Sequence, residues 1–171
     1  MVQAAAFAGA LLAAASGIMQ LTSGDFSGGS PVPKALMATD CGGENRSPSL
    51  AWSAAPEGTE SFALIMHDPD APMRGGFYHW VVYNVPATAR GLAANEKVSQ
   101  GQLGVASTGK AAYYGPCPPP GPAHHYAFSL YALDVAHLSS DSPLTGPQLE
   151  AKVAGHVLAR AILQGTAATT H

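Results

Sequence analysis

Ser61-Phe62-Ala63-Leu64-Ile65-Met66-His67, followed at once by Asp68-Pro69-Asp70-Ala71-Pro72, is the most informative stretch of this chain. Apolar side chains occupy both parities of the first segment, the pattern of a strand buried on both faces. The two prolines then stop it, because a residue without an N–H cannot continue a central ladder. Arg74-Gly75-Gly76 carries the loop on to a second strand, His79 to Val85, which ends at Pro86. So short a connection joins neighbouring, antiparallel strands. Tyr126 to Leu133, rich in aromatics, reads as a third strong strand. Leu50 to Trp52 is a shorter one, closed by the turn Pro56-Glu57-Gly58.

The remainder is mostly loop. Gly24 to Pro33, Gly42 to Pro48 and residues 87–123 are rich in Gly, Pro and polar residues, and the run from Cys117 to Pro122 excludes helix. Pro147 to Gln164 is expected to be the one helix of the mature chain. Pro147 suits a first turn, Leu149, Val153, Val157 and Arg160/Leu163 fall at helical spacing as a stripe, and Gly165 supplies a C-terminal cap.

With 171 residues, one domain is the expectation. Charged residues make up only 11% of the chain and the formal net charge is −3, with Lys and Arg scattered; this argues against nucleic acid and polybasic membrane binding. The 14 prolines and 19 glycines favour a β-rich architecture over a helical bundle. Cys41 and Cys117 form no C-x-x-C motif; they read as two buried thiols, or as a pair if the compartment is oxidising. Ala4 to Ala15 has the length of a signal-peptide core, with Ala13-Ala14-Ala15 as a cleavage site, although no basic residue precedes it. Residues 1–16 are thus expected to lie outside a domain spanning 19–171, with no transmembrane span in the mature protein. The location is periplasmic or secreted, or cytoplasmic if Met19 is the true start.

The polar residues converge. Asp68 ends one strand and His79 opens the next, while His124 and Tyr126 share parity at the head of the third and His125 faces away. One sheet edge therefore gathers Asp68, His79, His124 and Tyr126 under a Pro-rich rim. Asp68 is expected either to orient His79 and raise its pKa, giving cationic imidazoles for a phosphate or carboxylate, or to accept the ammonium of a zwitterionic head group. Two histidines and a carboxylate are also a formal metal set, so a metal-dependent enzyme using Asp68, His79 and His124 is the alternative. Neither H-E-x-x-H nor G-x-S-x-G occurs.

Taken in order, several segments resemble the phosphatidylethanolamine-binding protein family. They are Asp68-Pro69-Asp70-Ala71-Pro72, His79-Trp80-Val81-Val82 with Asn84, Pro118-Pro119 with Gly121, and His124 with Tyr126. Leu21-Thr22-Ser23 with Phe26, Gly43-Glu44-Asn45 with Ser47-Pro48, Leu50 with Trp52, and Gly155-His156 are similar to the bacterial, Raf-kinase-inhibitor-like branch. The resemblance implies a mostly β, β-sandwich-like fold with a large antiparallel sheet, a smaller sheet, a C-terminal helix and short peripheral helices. It further implies a non-enzymatic protein without cofactor. A small anion pocket would accept phosphate or phospholipid head groups through Asp68, Asp70, His79, Pro119, His124 and Tyr126. A protein partner, as for a kinase or protease inhibitor, is implied by the eukaryotic members. The chain departs from the family at His125, where Arg is usual, at His67, and at Gly42, which replaces a frequent Asp.

Overall fold

The computed structural model describes residues 18–169 except 54, 96, 97 and 99. The chain runs β1 (Gln20–Ser23), two 3-10 turns (Lys34–Leu36 and Thr39–Cys41), β2 (Leu50–Ser53), β3 (Ser61–Asp68), β4 (Phe77–Pro86), β5 (Gly91–Leu92), β6 (Gln102–Leu103), β7 (His124–Leu133), α1 (Gly146–Val153) and β8 (Val157–Ala167). Two antiparallel sheets result, a small one in the order β1-β2-β5 and a large one in the order β6-β4-β3-β7-β8. The expected mostly β, two-sheet architecture is what forms. The export segment expected over residues 1–16 lies outside the described residues.

β3 is the middle strand of the large sheet, which explains its double apolar parity. Phe62, Leu64 and Met66 meet Leu21, Leu50 and Trp52 of the small sheet in the main core. Ala63 and Ile65 on the opposite face pack with Val81, Leu133 and the α1 residues Leu149 and Val153. Burying each large side chain such as Phe62, Phe128 or Leu64 contributes about 1.5–3 kcal/mol. Among the described residues no helix is long and apolar enough to cross a membrane.

The helix expected over Pro147–Gln164 is corrected. α1 opens with Thr145 and Gln148 in a capping box and Pro147 in its first turn, but it ends at Val153. After Gly155-His156 the chain reverses, and β8 pairs with β7 from Leu133↔Val157 to His124↔Ala167. The stripe drawn through Val157 and Leu163 joined two different elements. From residue 161 on, burial alternates, with Ala161, Leu163, Gly165 and Ala167 facing the core and Ile162 and Gln164 facing out. Ten register pairs with β7 outweigh the helical preference of an Ala- and Leu-containing segment.

Gly165 is accordingly not a helix cap but a strand residue where Phe26 and Val32 press on the backbone. A Cβ there would lie 2.6 Å from Val32 Cγ1 and 3.0 Å from Phe26 Cε2. Gly165→Val is expected to cost about 2 kcal/mol by overpacking. Urea unfolding checks this, and an unchanged midpoint would show that Phe26 and Val32 yield freely.

Candidate functional site

The end of β3 and the starts of β4 and β7 meet at one edge of the large sheet. β3 pairs with β4 as far as Asp68↔Phe77 and with β7 as far as His67↔Ala127. Between them the chain returns through a loop that closes with Gly75 and Gly76 at positive φ. At Gly76 a side chain would strike the Asp68 carbonyl oxygen and the His67 ring, so only glycine fits.

A β-bulge aims His79. The register passes from Met66↔Trp80 to His67↔Tyr78, leaving His79 without a partner on β3. Simple alternation along β4 would keep His79 with Val81 and Tyr83, which belong to the second core cluster. The extra residue instead turns His79 and Phe77 into a cavity on the side of Asp68, His124 and Tyr126. This cavity has a volume of about 210 Å³, and Pro119 and Met73 stand at its rim.

Asp68 is 3% exposed. Its Oδ1 accepts the backbone N–H groups of Asp70 (2.9 Å) and Ala71 (3.1 Å), and its Oδ2 meets His124 Nδ1 at 2.8 Å. It is therefore both a turn-former and the orienter of His124. This corrects the expectation that it orients His79. His79 Nδ1 lies 2.7 Å from the carbonyl oxygen of Tyr114, an acceptor only, so Nδ1 carries the proton. The ring stands edge-on to Tyr126 at 5.1 Å and near-parallel to Tyr114 at 6.0 Å.

Burial pushes the His79 pKa down to about 4, against smaller upward pulls from the Tyr114 carbonyl and the Asp68 charge. The expected elevation is thereby reversed, and His79 is a neutral imidazole at pH 7. Between its unfolded pKa of about 6.5 and its folded pKa near 4, the unfolded chain binds a proton that the native one does not. The stability tied to neutral His79 is complete above the unfolded value and is lost as pH falls toward 4, by about 3 kcal/mol. His79→Gln is expected to flatten this part of the profile. Urea unfolding from pH 4 to 7.5 on both proteins measures the difference, and parallel profiles would refute it.

The Tyr126 hydroxyl is buried beside Asp68, with no partner at hydrogen-bond distance among the described residues, and its pKa is raised far above the usual phenol range by burial and then by Asp68. Of the six expected site residues, Asp68, His79, Pro119, His124 and Tyr126 line the cavity. Asp70 does not; its carboxylate takes both the N–H and the Nδ1 of His125 at 2.8 and 2.7 Å on the outside, which lowers its pKa. His125 faces away, as parity requires.

Phe77, Tyr114 and Cys117 also line the cavity. Phe77, two residues before His79, carried a sequence signal in its shared parity; Tyr114 carried none, because it lies in a segment without strand periodicity. Cys117 pairs with Cys41, with Cα atoms 5.5 Å apart, so the reading as two buried thiols is corrected. The choice between the two readings could not be made from the sequence, because 76 positions separate the residues. Among the described residues no three His, Cys, Asp or Glu side chains are placed to share a metal ion. In the set named for that role, Asp68 and His124 are turned on each other.

The model of the family described as phosphatidylethanolamine-binding protein matches residues 22–168. The chain belongs to this family. It is 39% identical over 160 residues to a UPF0098 protein of Aquifex aeolicus, covering 91% of each chain. It is 38% identical over 153 residues to UPF0098 protein YbhB of Escherichia coli, covering 84% of this chain and 96% of that one. The crystal structure of Escherichia coli YbcL, described as a new member of the mammalian PEBP family, superposes with a TM-score of 0.85 at 33% identity. That match covers 90% of this chain and 100% of YbcL. The phosphatidylethanolamine-binding fold is thus the one that brings the β3, β4 and β7 ends to a common cavity.

Proposed function

We propose that this family member is a non-catalytic binding protein whose cavity takes a phosphate or phosphomonoester, alone or as a phospholipid head group. The observation carrying this reading is the proton inventory of the cavity. His79, neutral and protonated on Nδ1, leaves the Nε2 lone pair to accept the hydroxyl proton of a singly protonated phosphate. The Tyr126 hydroxyl, without a partner among the described residues, donates back to a phosphoryl oxygen. Asp68, whose charge would oppose an anion, already accepts two backbone N–H groups and faces His124, which blunts the repulsion. The same reading puts the protein in an oxidising, extracytoplasmic compartment, supported by the Cys41–Cys117 bond.

Titration with inorganic phosphate and with phosphoethanolamine, followed by nuclear magnetic resonance, tests the reading. Shifts are expected at Asp68, His79, His124 and Tyr126; their absence would end it. Affinity is expected to fall as pH rises through the second ionisation of the ligand, near about 6 for a phosphomonoester. The pH response then comes from the ligand and not from His79. Phosphorus resonances of the bound ligand should show that ionisation displaced upward.

A further inference from the structure

The cavity wall from Tyr114 to Pro119 belongs to neither sheet. Four of the five residues from Pro116 to Pro120 are proline, so only Cys117 has an amide hydrogen to offer. The proline run has only that one backbone donor, so the wall is held at its start by the Tyr114 N–H, which donates to the His79 carbonyl (3.0 Å), and by the contacts that follow. Ala38 N–H donates to the Pro116 carbonyl (3.0 Å), Thr169 Oγ1 donates to the Pro118 carbonyl (2.6 Å), and Gly115 N–H donates to Asn45 Oδ1 (2.7 Å).

The turn Thr39–Cys41 grips the wall twice. Asp40 accepts the Tyr114 hydroxyl at 3.1 Å, and Cys41 is bonded to Cys117. Tyr114 in turn carries the carbonyl that fixes the His79 tautomer. A continuous path therefore runs from the disulfide through the wall to the imidazole. Both cysteines are partly exposed, within reach of a thiol.

We propose that the Cys41–Cys117 bond is a redox latch on this cavity, and that its reduction by a dithiol frees the Tyr114–Pro119 wall and weakens ligand binding. The proposal rests on the ligand reading above. In the step, a thiolate of the dithiol attacks one sulfur, the S–S bond breaks and a mixed disulfide forms. The second thiol of the reductant then displaces the protein sulfur. Cys41 and Cys117 end as thiols, and the reductant, having supplied two electrons and two protons, ends as a disulfide. A thioredoxin-like oxidoreductase is the class of protein that supplies such a dithiol.

The full chain is titrated with inorganic phosphate before and after dithiothreitol, with circular dichroism reporting the fold. Affinity is expected to fall about tenfold on reduction, the effect of having to reorder a loosened wall on binding. The His79 titration midpoint, followed by nuclear magnetic resonance, should rise from about 4 toward the ordinary value as water enters, because relief of burial outweighs loss of the Tyr114 carbonyl's upward pull. Cys41→Ser with Cys117→Ser should reproduce the reduced protein whether or not dithiothreitol is present. Equal affinity and an equal His79 midpoint in both redox states would overturn the latch, as would global unfolding on reduction. Absence of phosphate binding by the oxidised protein would instead overturn the ligand reading.

Discussion

Replacing Cys41 and Cys117 together by serine is expected to lower the unfolding free energy by about 4 kcal/mol, measured by urea denaturation of the oxidised wild type against the variant. The two residues lie 76 positions apart, and the bond encloses β2 to β6, which supply strands to both sheets. Cross-linking so long a loop removes much of the freedom of the unfolded chain, and the loss grows with the logarithm of loop length. The denatured variant should be more expanded, so the denaturant dependence should steepen as well as the midpoint fall. An unchanged midpoint would mean that the unfolded chain is already held near this geometry, or that the bond does not form in the purified protein. Mass spectrometry of the alkylated protein separates these two outcomes.

Asp68→Ala is expected to have an effect of similar size, about 4 kcal/mol, because it removes the one buried acceptor shared by three part-buried hydrogen bonds. The Asp70 and Ala71 N–H groups and His124 Nδ1 all lose their partner. The turn that returns the chain from β3 to β4 and the orientation of His124 both depend on this one carboxylate. Phosphate affinity should fall about tenfold even though a negative charge has been removed, since the charge was already hydrogen-bonded and the orienting role was not replaceable. Asp68→Asn keeps an acceptor for the two N–H groups and should cost less than half as much stability. It presents an amide to His124, so it should still impair binding. Calorimetric titration with phosphoethanolamine distinguishes the cases. An Asp68→Ala protein that binds like wild type would show that Asp68 holds only the turn.

Local pattern carried a large part of this outcome. The double apolar parity of Ser61–His67 marked the central strand, and the Asp68-to-Pro72 stop marked its end. The shared parity of His124 and Tyr126 put them on one face, with His125 opposite. These features depend on residues within a few positions of one another, where side-chain alternation and the missing N–H of proline act directly.

Other features were settled only in three dimensions. Val157–Gln164 reads as the end of a helix on its own, but the long antiparallel pairing of Val157–Ala167 with β7 makes it a strand. The bulge at His79, the disulfide across 76 positions and the choice of His124 over His79 as partner of Asp68 depend on segments meeting from distant parts of the chain. The protonation of His79 follows from the same cause, because burial outweighs the nearby carboxylate. The chain alone put Asp68, His79, His124 and Tyr126 at the sheet edge; packing added Tyr114, left Asp70 outside, and decided which side chains face one another, how dry they are, and hence which protons they hold.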